Sequence, residues 1–314
     1  MNRYPAKYDT LLDAETWAFV RETDGHYPPD TATMAIAEQR AIYDRMCRAF
    51  FAGYPDGVSA RDETIAGTPV RRYAKAGSDR PGTVVYMHGG GFVVGGLESH
   101  DDVCAEIGDR TGLSVVSVDY PLAPENPFPA DFQACLAVTK AALAEADGPV
   151  VLAGDSAGGN LCASVSAALR GEGDHPIAGQ VLIYPGLSGD VDAPSFEEHA
   201  EAPMLTRADC VFYKTVRTGG DEAALADPRC SPLKGDDFAG LPPTFALAAQ
   251  CDPLADNARD YVRAIHAAGG AAELVEAEGL VHGFLRGRST VTRAREAFST
   301  IIAAIDRFAA TPAA

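Results

Sequence analysis

The chain has 314 residues, 46% of them hydrophobic and 22% charged, ordinary proportions for a globular enzyme able to bury a sizeable core. Forty-four acidic against 26 basic side chains give a formal net charge of −18, which argues against a nucleic-acid or anionic-membrane partner and favours neutral small molecules. No segment offers the roughly eighteen uninterrupted apolar residues of a membrane span, and the start M-N-R-Y-P-A-K-Y-D-T lacks the apolar stretch of a signal peptide.

Residues 1–55 read as helical without intervening strands. One helix is expected to start after Asp30 or Thr31, with Ile42, Met46 and Phe50 on one face and Tyr43, Cys47 and Phe51 widening it. From about residue 60 short apolar strands alternate with helices. Strands are predicted at Val70–Tyr73, Thr83–Met87, Ser114–Val118, Val150–Leu152, Gly179–Tyr184, Thr244–Ala249 and Ala272–Glu276. Helices are predicted at Asp101–Arg110, Pro129–Ala144, from Ser156 to about Arg170, Arg259–Ala268 and Ala294–Phe308. The alternation predicts an α/β fold, a mostly parallel central sheet flanked by helices, with chemistry in the loops that leave the carboxyl ends of the strands.

Residues 187–230 interrupt that alternation, with Thr206 placed to cap a short helix through Val216. The expected organisation is an N-terminal helical part of a cap over 1–55 and an α/β core over 56–186. A cap insertion over 187–230 then precedes the second part of the core over 231–314. The sequence is equally consistent with a helical lid above the strand ends and with ordinary core helices. Seven scattered cysteines, odd in number and without C-x-x-C spacing, read as free thiols in a reducing, cytoplasmic compartment, with no metal site.

Residues 150–162, V-V-L-A-G-D-S-A-G-G-N-L-C, set Ser156 between a buried strand and a helix with glycines at 154, 158 and 159. Gly154-x-Ser156-x-Gly158 fits a sharp strand-to-helix turn that exposes a nucleophile, a weak signal until its context is added. The second signal is His88-Gly89-Gly90-Gly91-Phe92, again directly after a strand. Three glycines expose backbone N–H groups to a developing oxyanion. A phosphate-binding loop is the rival reading, but the Lys-Ser/Thr of a P-loop and G-x-G-x-x-G spacing are both missing.

A serine nucleophile needs a base, and the base an orienting carboxylate. Of the histidines at 26, 88, 100, 175, 199, 266 and 282, His282 in G-L-V-H-G-F follows the last strand and a short turn. Asp252 in A-A-Q-C-D-P-L-A-D follows the strand before it, with Asp256 and Asp260 farther along; Cys251 beside it reads as a packed thiol. The chain order Ser156, Asp252, His282 is that of α/β-hydrolases.

H-G-G-G-F, D-Y-x-L-A-P-E (Asp119–Glu125), G-D-S-A-G-G-N, D-P-L-x-D and H-G-F together resemble the hormone-sensitive-lipase-like branch of bacterial esterases in the α/β-hydrolase superfamily, from about residue 60 to the C-terminus. The resemblance implies Ser156 as nucleophile, His282 as base and Asp252 as its orienting acid. It also implies an oxyanion hole from the backbone N–H groups of Gly90, Gly91 and Ala157, with His88 as a loop organiser and no cofactor. The implied substrates are esters of short to medium acyl chains. Two positions depart from the family pattern: Pro121, where arginine is usual, and Asn257, where glutamate is frequent. Phe92, Met204, Leu205 and Phe212 are candidate pocket walls that serve equally well as core, and the last strand is a candidate edge for a homodimer.

The leading expectation is a serine carboxylic ester hydrolase. The same triad serves an amidase, a deacetylase or a lactonase, and nothing in the motifs separates these. A small-molecule receptor on this fold, as in similar plant hormone receptors, is disfavoured because those lack the base histidine that His282 supplies here. An interfacial lipase fits poorly with the net charge of −18.

Overall fold

The computed structural model describes residues 3–172 and 177–310. In chain order it contains α1 (Tyr8–Leu11), α2 (Ala14–Gly25), α3 (Ile36–Phe50), β1 (Val58–Ile65), β2 (Thr68–Lys75), β3 (Thr83–Met87), α4 (Asp101–Thr111) and β4 (Ser114–Val118). These are followed by α5 (Ala130–Glu145), β5 (Val150–Asp155), α6 (Ala157–Leu169), β6 (Gly179–Ile183), α7 (Pro194–Glu198), α8 (Arg207–Thr218) and α9 (Glu222–Ala226). The chain then forms β7 (Thr244–Cys251), α10 (Ala255–Ala267), β8 (Ala272–Val281) and α11 (Thr292–Ala310).

One eight-stranded sheet runs β1-β2-β4-β3-β5-β6-β7-β8. Pairings from β4 through β8 are parallel, while β1 and β2 form an antiparallel hairpin that joins β4 antiparallel. The central strands are mostly apolar and buried because helices cover both faces; Val84, Val85, Tyr86 and Met87 of β3 are all buried. One face packs on α4 and α11 through residues such as Val103, Ile107, Phe298 and Ile301; the other packs on α5, α6 and α10 through Phe132, Val138, Leu161, Val165 and Ile265. From β3 the chain crosses to β4 on one side and then returns to β5 on the other. That reversal opens a crevice above β3 and β5, where ligands bind in such sheets.

The alternation of strands and helices is as expected, but several boundaries and one strand differ. β1 is additional: its V-S-A-R-D-E-T-I run is mostly polar with none of its residues buried, so it carries no apolar alternation to announce it. β8 continues past Glu276 to Val281, so His282 follows the strand directly with no intervening turn. α3 begins at Ile36, a short 3₁₀ turn occupying Thr31–Thr33, and Phe51 lies beyond its end, exposed. α8 is capped by Thr206, whose side chain accepts from Asp209 N, and runs to Thr218.

The N-terminal helices divide between the two alternatives. Tyr8, Leu12, Phe19 and Val20 of α1, α2 and their link join the large core cluster with Val281, Phe284 and Leu285. By contrast, Tyr43, Met46 and Cys47 of α3 pack on Val93, Val94 and Ala123, beside Tyr213 and Val216 of α8. α3 and α8 thus meet over the loop that leaves β3. Among the described residues no helix is long and apolar enough to cross a membrane.

Candidate active site

β5 ends at Asp155 and α6 starts at Ala157, so Ser156 is the single residue between strand and helix. It is held at φ +54° and ψ −114°, a region that residues with side chains rarely enter. Its amide donates to Ile183 O at 2.8 Å. A Cβ on Gly158 would lie 1.8 Å from Met87 O, so only glycine lets the first turn of α6 press against the end of β3. That approach sets Ser156 beside the H-G-G-G loop.

Asp252 and His282 come from the ends of β7 and β8, which lie beyond β6 from the serine strand. His282 Nε2 lies 2.9 Å from Ser156 Oγ, and His282 Nδ1 lies 2.7 Å from Asp252 Oδ2. Asp252 is fully buried, and its other oxygen accepts from Leu254 N at 2.8 Å. The Tyr184 ring packs on the imidazole at 4.7 Å between centroids. With Nδ1 facing a buried carboxylate, the imidazole keeps its proton there and presents Nε2 as the acceptor for the serine hydroxyl.

In the loop after β3, Gly90 has φ +125°, and a Cβ there would meet Val94 O at 2.1 Å. Its carbonyl accepts from Val93 N and Val94 N at 3.1 and 3.0 Å. In this tight turn the amides of Gly90 and Gly91, like that of Ala157 at the start of α6, have no acceptor among the described residues. Three free donors therefore belong to two backbone segments that the fold sets side by side.

Asp155, unassigned from the sequence, ties those segments together. Its carboxylate accepts from Gly89 N at 2.9 Å and Tyr86 OH at 2.9 Å, and meets His100 Nε2 at 3.3 Å. Burial alone would raise this carboxyl, but the His100 charge and the hydrogen bonds from His100 and Tyr86 outweigh it and hold it well below the usual range. His88 stacks on Tyr120 at 4.3 Å and its Nδ1 lies 2.7 Å from Gly89 O. Burial, reinforced by His100, pushes His88 down to about 4, so its ring stays neutral.

The remaining histidines serve elsewhere. His199 Nδ1 meets Tyr8 OH, His266 Nε2 meets Ala272 O, His26 faces Glu22, and His175 lies outside the described residues. Cys251 is fully buried, and burial pushes its thiol up to about 12. Asp256 accepts from Ser195 N, and Asp260 pairs with Arg263.

A cavity of about 100 Å³ opens from Ser156, Ala157 and Gly91. Of the candidate wall residues, Phe92 and Leu205 line it, whereas Met204 and Phe212 do not. Met204 packs against the main core near Gly283, and Phe212 stands edge-on to Tyr213, the ring that does face the cavity. One residue of error along a helix turns a side chain by about 100°. Asn257 also lines the cavity, its Oδ1 accepting from Leu187 N and Ser188 N.

Residues 84–286 match a family model described as the alpha/beta hydrolase fold. Carboxylesterase NlhH of Mycobacterium tuberculosis is 38% identical across 98% of this chain and 93% of its own length. An ethyl acetate hydrolase of Pseudomonas putida is 31% identical over 76% of this chain and 78% of its own. The crystal structure of an esterase from Pyrobaculum calidifontis superposes with a TM-score of 0.85 at 31% identity, covering 96% of this chain and all of that one. The chain belongs to the hormone-sensitive-lipase-like esterases of the α/β-hydrolase superfamily.

Proposed function

We propose that the protein hydrolyses short-chain carboxylic esters through an acyl-enzyme on Ser156, without a cofactor. The single observation that carries this reading is His282 bridging Ser156 Oγ at 2.9 Å and buried Asp252 at 2.7 Å. As the serine oxygen attacks the ester carbonyl, His282 Nε2 takes its proton while Asp252 stabilises the imidazolium. The amides of Gly90, Gly91 and Ala157 donate hydrogen bonds to the oxyanion, each such donor being worth about 10²–10³ in rate. His282 then protonates the leaving alcohol, and a water activated by the same nitrogen frees the acid. The P. putida relative bears the name of an ethyl acetate hydrolase, which favours small acyl groups. So does the cavity: about 100 Å³ is smaller than the roughly 150 Å³ that takes a benzene ring. The free cysteines, buried except for half-buried Cys210, support a reducing cytoplasmic setting.

The test is hydrolysis of p-nitrophenyl esters from acetate to dodecanoate by the wild type and by Ser156→Ala. Turnover that peaks at short chains and disappears in the variant is the expected result. A folded wild type that turns over no ester overturns the reading and moves it to an amide or lactone substrate.

A further inference from the structure

The far wall of the cavity is formed by α8, and two of its basic side chains, Lys214 and Arg217, line it. Arg217 is 3% exposed and already engaged on two sides. Its Nε donates to Asp131 Oδ2 at 2.7 Å, and its Nη1 donates to Asn160 Oδ1 at 3.2 Å and Cys230 O at 3.0 Å. The guanidinium lies over the Phe92 ring at 3.5 Å. Its buried Nη2 has no partner among the described residues. Such a donor is costly to bury unless something accepts from it.

Lys214 adds a charge. Its ammonium donates only to Gly189 O at 3.3 Å, and no carboxylate of the described residues lies within 4.0 Å. The acidic residue in the wall, Asp190, is exposed and already paired with Lys234 at 2.5 Å. Asp131 neutralises Arg217 from behind. Two further polar wall groups are taken: Asn160 Nδ2 donates to Gly186 O and Cys230 O, and Ser188 Oγ donates to Asp190 O. The wall therefore holds one uncompensated cation and one spare guanidinium donor, three residues apart on one helix.

We propose that the cavity binds an ester whose enclosed arm ends in a carboxylate, with Lys214 and Arg217 as the specificity-determining residues. This rests on the ester-hydrolase reading above and names the substrate class of that site. The net charge of −18 opposes anions only at long range. Over the roughly 8 Å screening length of physiological salt, the nearest charges decide, and in a partly enclosed space they act more strongly than at the surface. Short dicarboxylic hemiesters, or esters of short hydroxy acids, have the chemistry that this wall complements.

The test pairs each anionic ester with a neutral counterpart: monoethyl glutarate with ethyl pentanoate, and the butanoate ester of 3-hydroxypropanoate with propyl butanoate. Hydrolysis is followed by pH-stat titration in the wild type, Lys214→Met and Lys214→Arg. In at least one pair the wild type is expected to favour the anionic member in kcat/KM. Lys214→Met is expected to lower the anionic-to-neutral ratio by about tenfold or more, the usual effect of removing a charged hydrogen-bond donor. Lys214→Arg, which keeps the charge, is expected to retain most of the preference. A wild type that favours the neutral member of both pairs, or a ratio unmoved by Lys214→Met, overturns the proposal while leaving the esterase reading intact. Absence of turnover on all four esters, with p-nitrophenyl acetate still hydrolysed, overturns this proposal alone; absence on p-nitrophenyl acetate as well overturns both.

Discussion

Ser156 stands between two regions built in different ways. Behind it, β3, β5, β7 and β8 end at the same edge of the sheet, and their loops lock together through the Gly158–Met87 approach, the Asp155 hydrogen bonds and the Asp252–His282 pair. In front of it, α8 and the chain around Ser188–Val191 form a wall of partly exposed side chains with a spare donor and an unpaired ammonium. The first region has little freedom and holds the proposed triad, whereas the second lines the cavity without taking part in the sheet. Asp155 and Arg217 show the contrast in single residues: both are buried and charged, but Asp155 accepts from several donors at once while Arg217 keeps one donor free.

The division is broken most directly at the serine. Ser156→Ala is expected to lower kcat by roughly 10⁶ with thermal unfolding unchanged, because the hydroxyl's chemistry is lost and its packing is not. Asp252→Asn is expected to cost roughly 10⁴ in kcat, since an amide no longer holds the imidazole in the required tautomer. If either substitution instead acted mainly on KM, the reaction side would not be separate from the binding side.

Packing on the reaction side is tested by Gly158→Ala. The added methyl would sit 1.8 Å from Met87 O, so either the backbone shifts or the chain fails to fold. A loss of about 3 kcal/mol or more in urea unfolding is expected, along with most of the activity. Wild-type stability in that substitution would mean that the approach of α6 to β3 is looser than described.

Acid weakens the same region through His88. The folded protein holds its ring neutral down to about pH 4, whereas the unfolded chain binds the proton from about 6.5 downward. The unfolded state therefore binds more protons in that window, and stability falls as pH drops from about 6.5 to 4. The group is fully buried, and the expected loss is roughly 3 kcal/mol. Asp155 adds nothing in this window, because its lowered carboxyl contributes stability above about pH 4 and loses it only under more acid conditions. Urea unfolding at pH 7 and 4.5 measures the drop; a flat profile would count against the neutral, stacked ring.

The smallest effect is expected at the variable wall. Leu205 is buried against Phe196 and Leu254 and faces the cavity. Leu205→Ala is expected to move the best acyl length upward, with a few-fold change in kcat and a stability loss of about 2 kcal/mol, at the low end for a buried leucine. An unchanged chain-length profile would show that the wall at Leu205 does not limit the substrate.

Much of the reaction side was legible because its signals are local. G-D-S-A-G-G-N and H-G-G-G-F each lie within one strand-to-loop junction, while Asp252 follows an apolar strand and His282 the apolar end of an otherwise mixed one. Their meeting depends only on neighbouring parallel strands ending at the same edge. Asp155 was visible beside the serine, yet its role was not, because Gly89, Tyr86 and His100 reach it from other elements. β1 escaped notice because a polar edge strand has no apolar alternation.

By itself the sequence determined the α/β alternation, the strand-to-helix serine turn and the order Ser156, Asp252, His282, since each depends on local backbone preference or on burial along one strand. Only the tertiary structure decided that Tyr213 and not Phe212 faces the cavity, that α3 meets α8 over the loop after β3, and that Arg217 pairs with Asp131. Those contacts join residues 86 positions apart in the last case. No local preference encodes them, because they follow from how whole helices settle on a completed sheet.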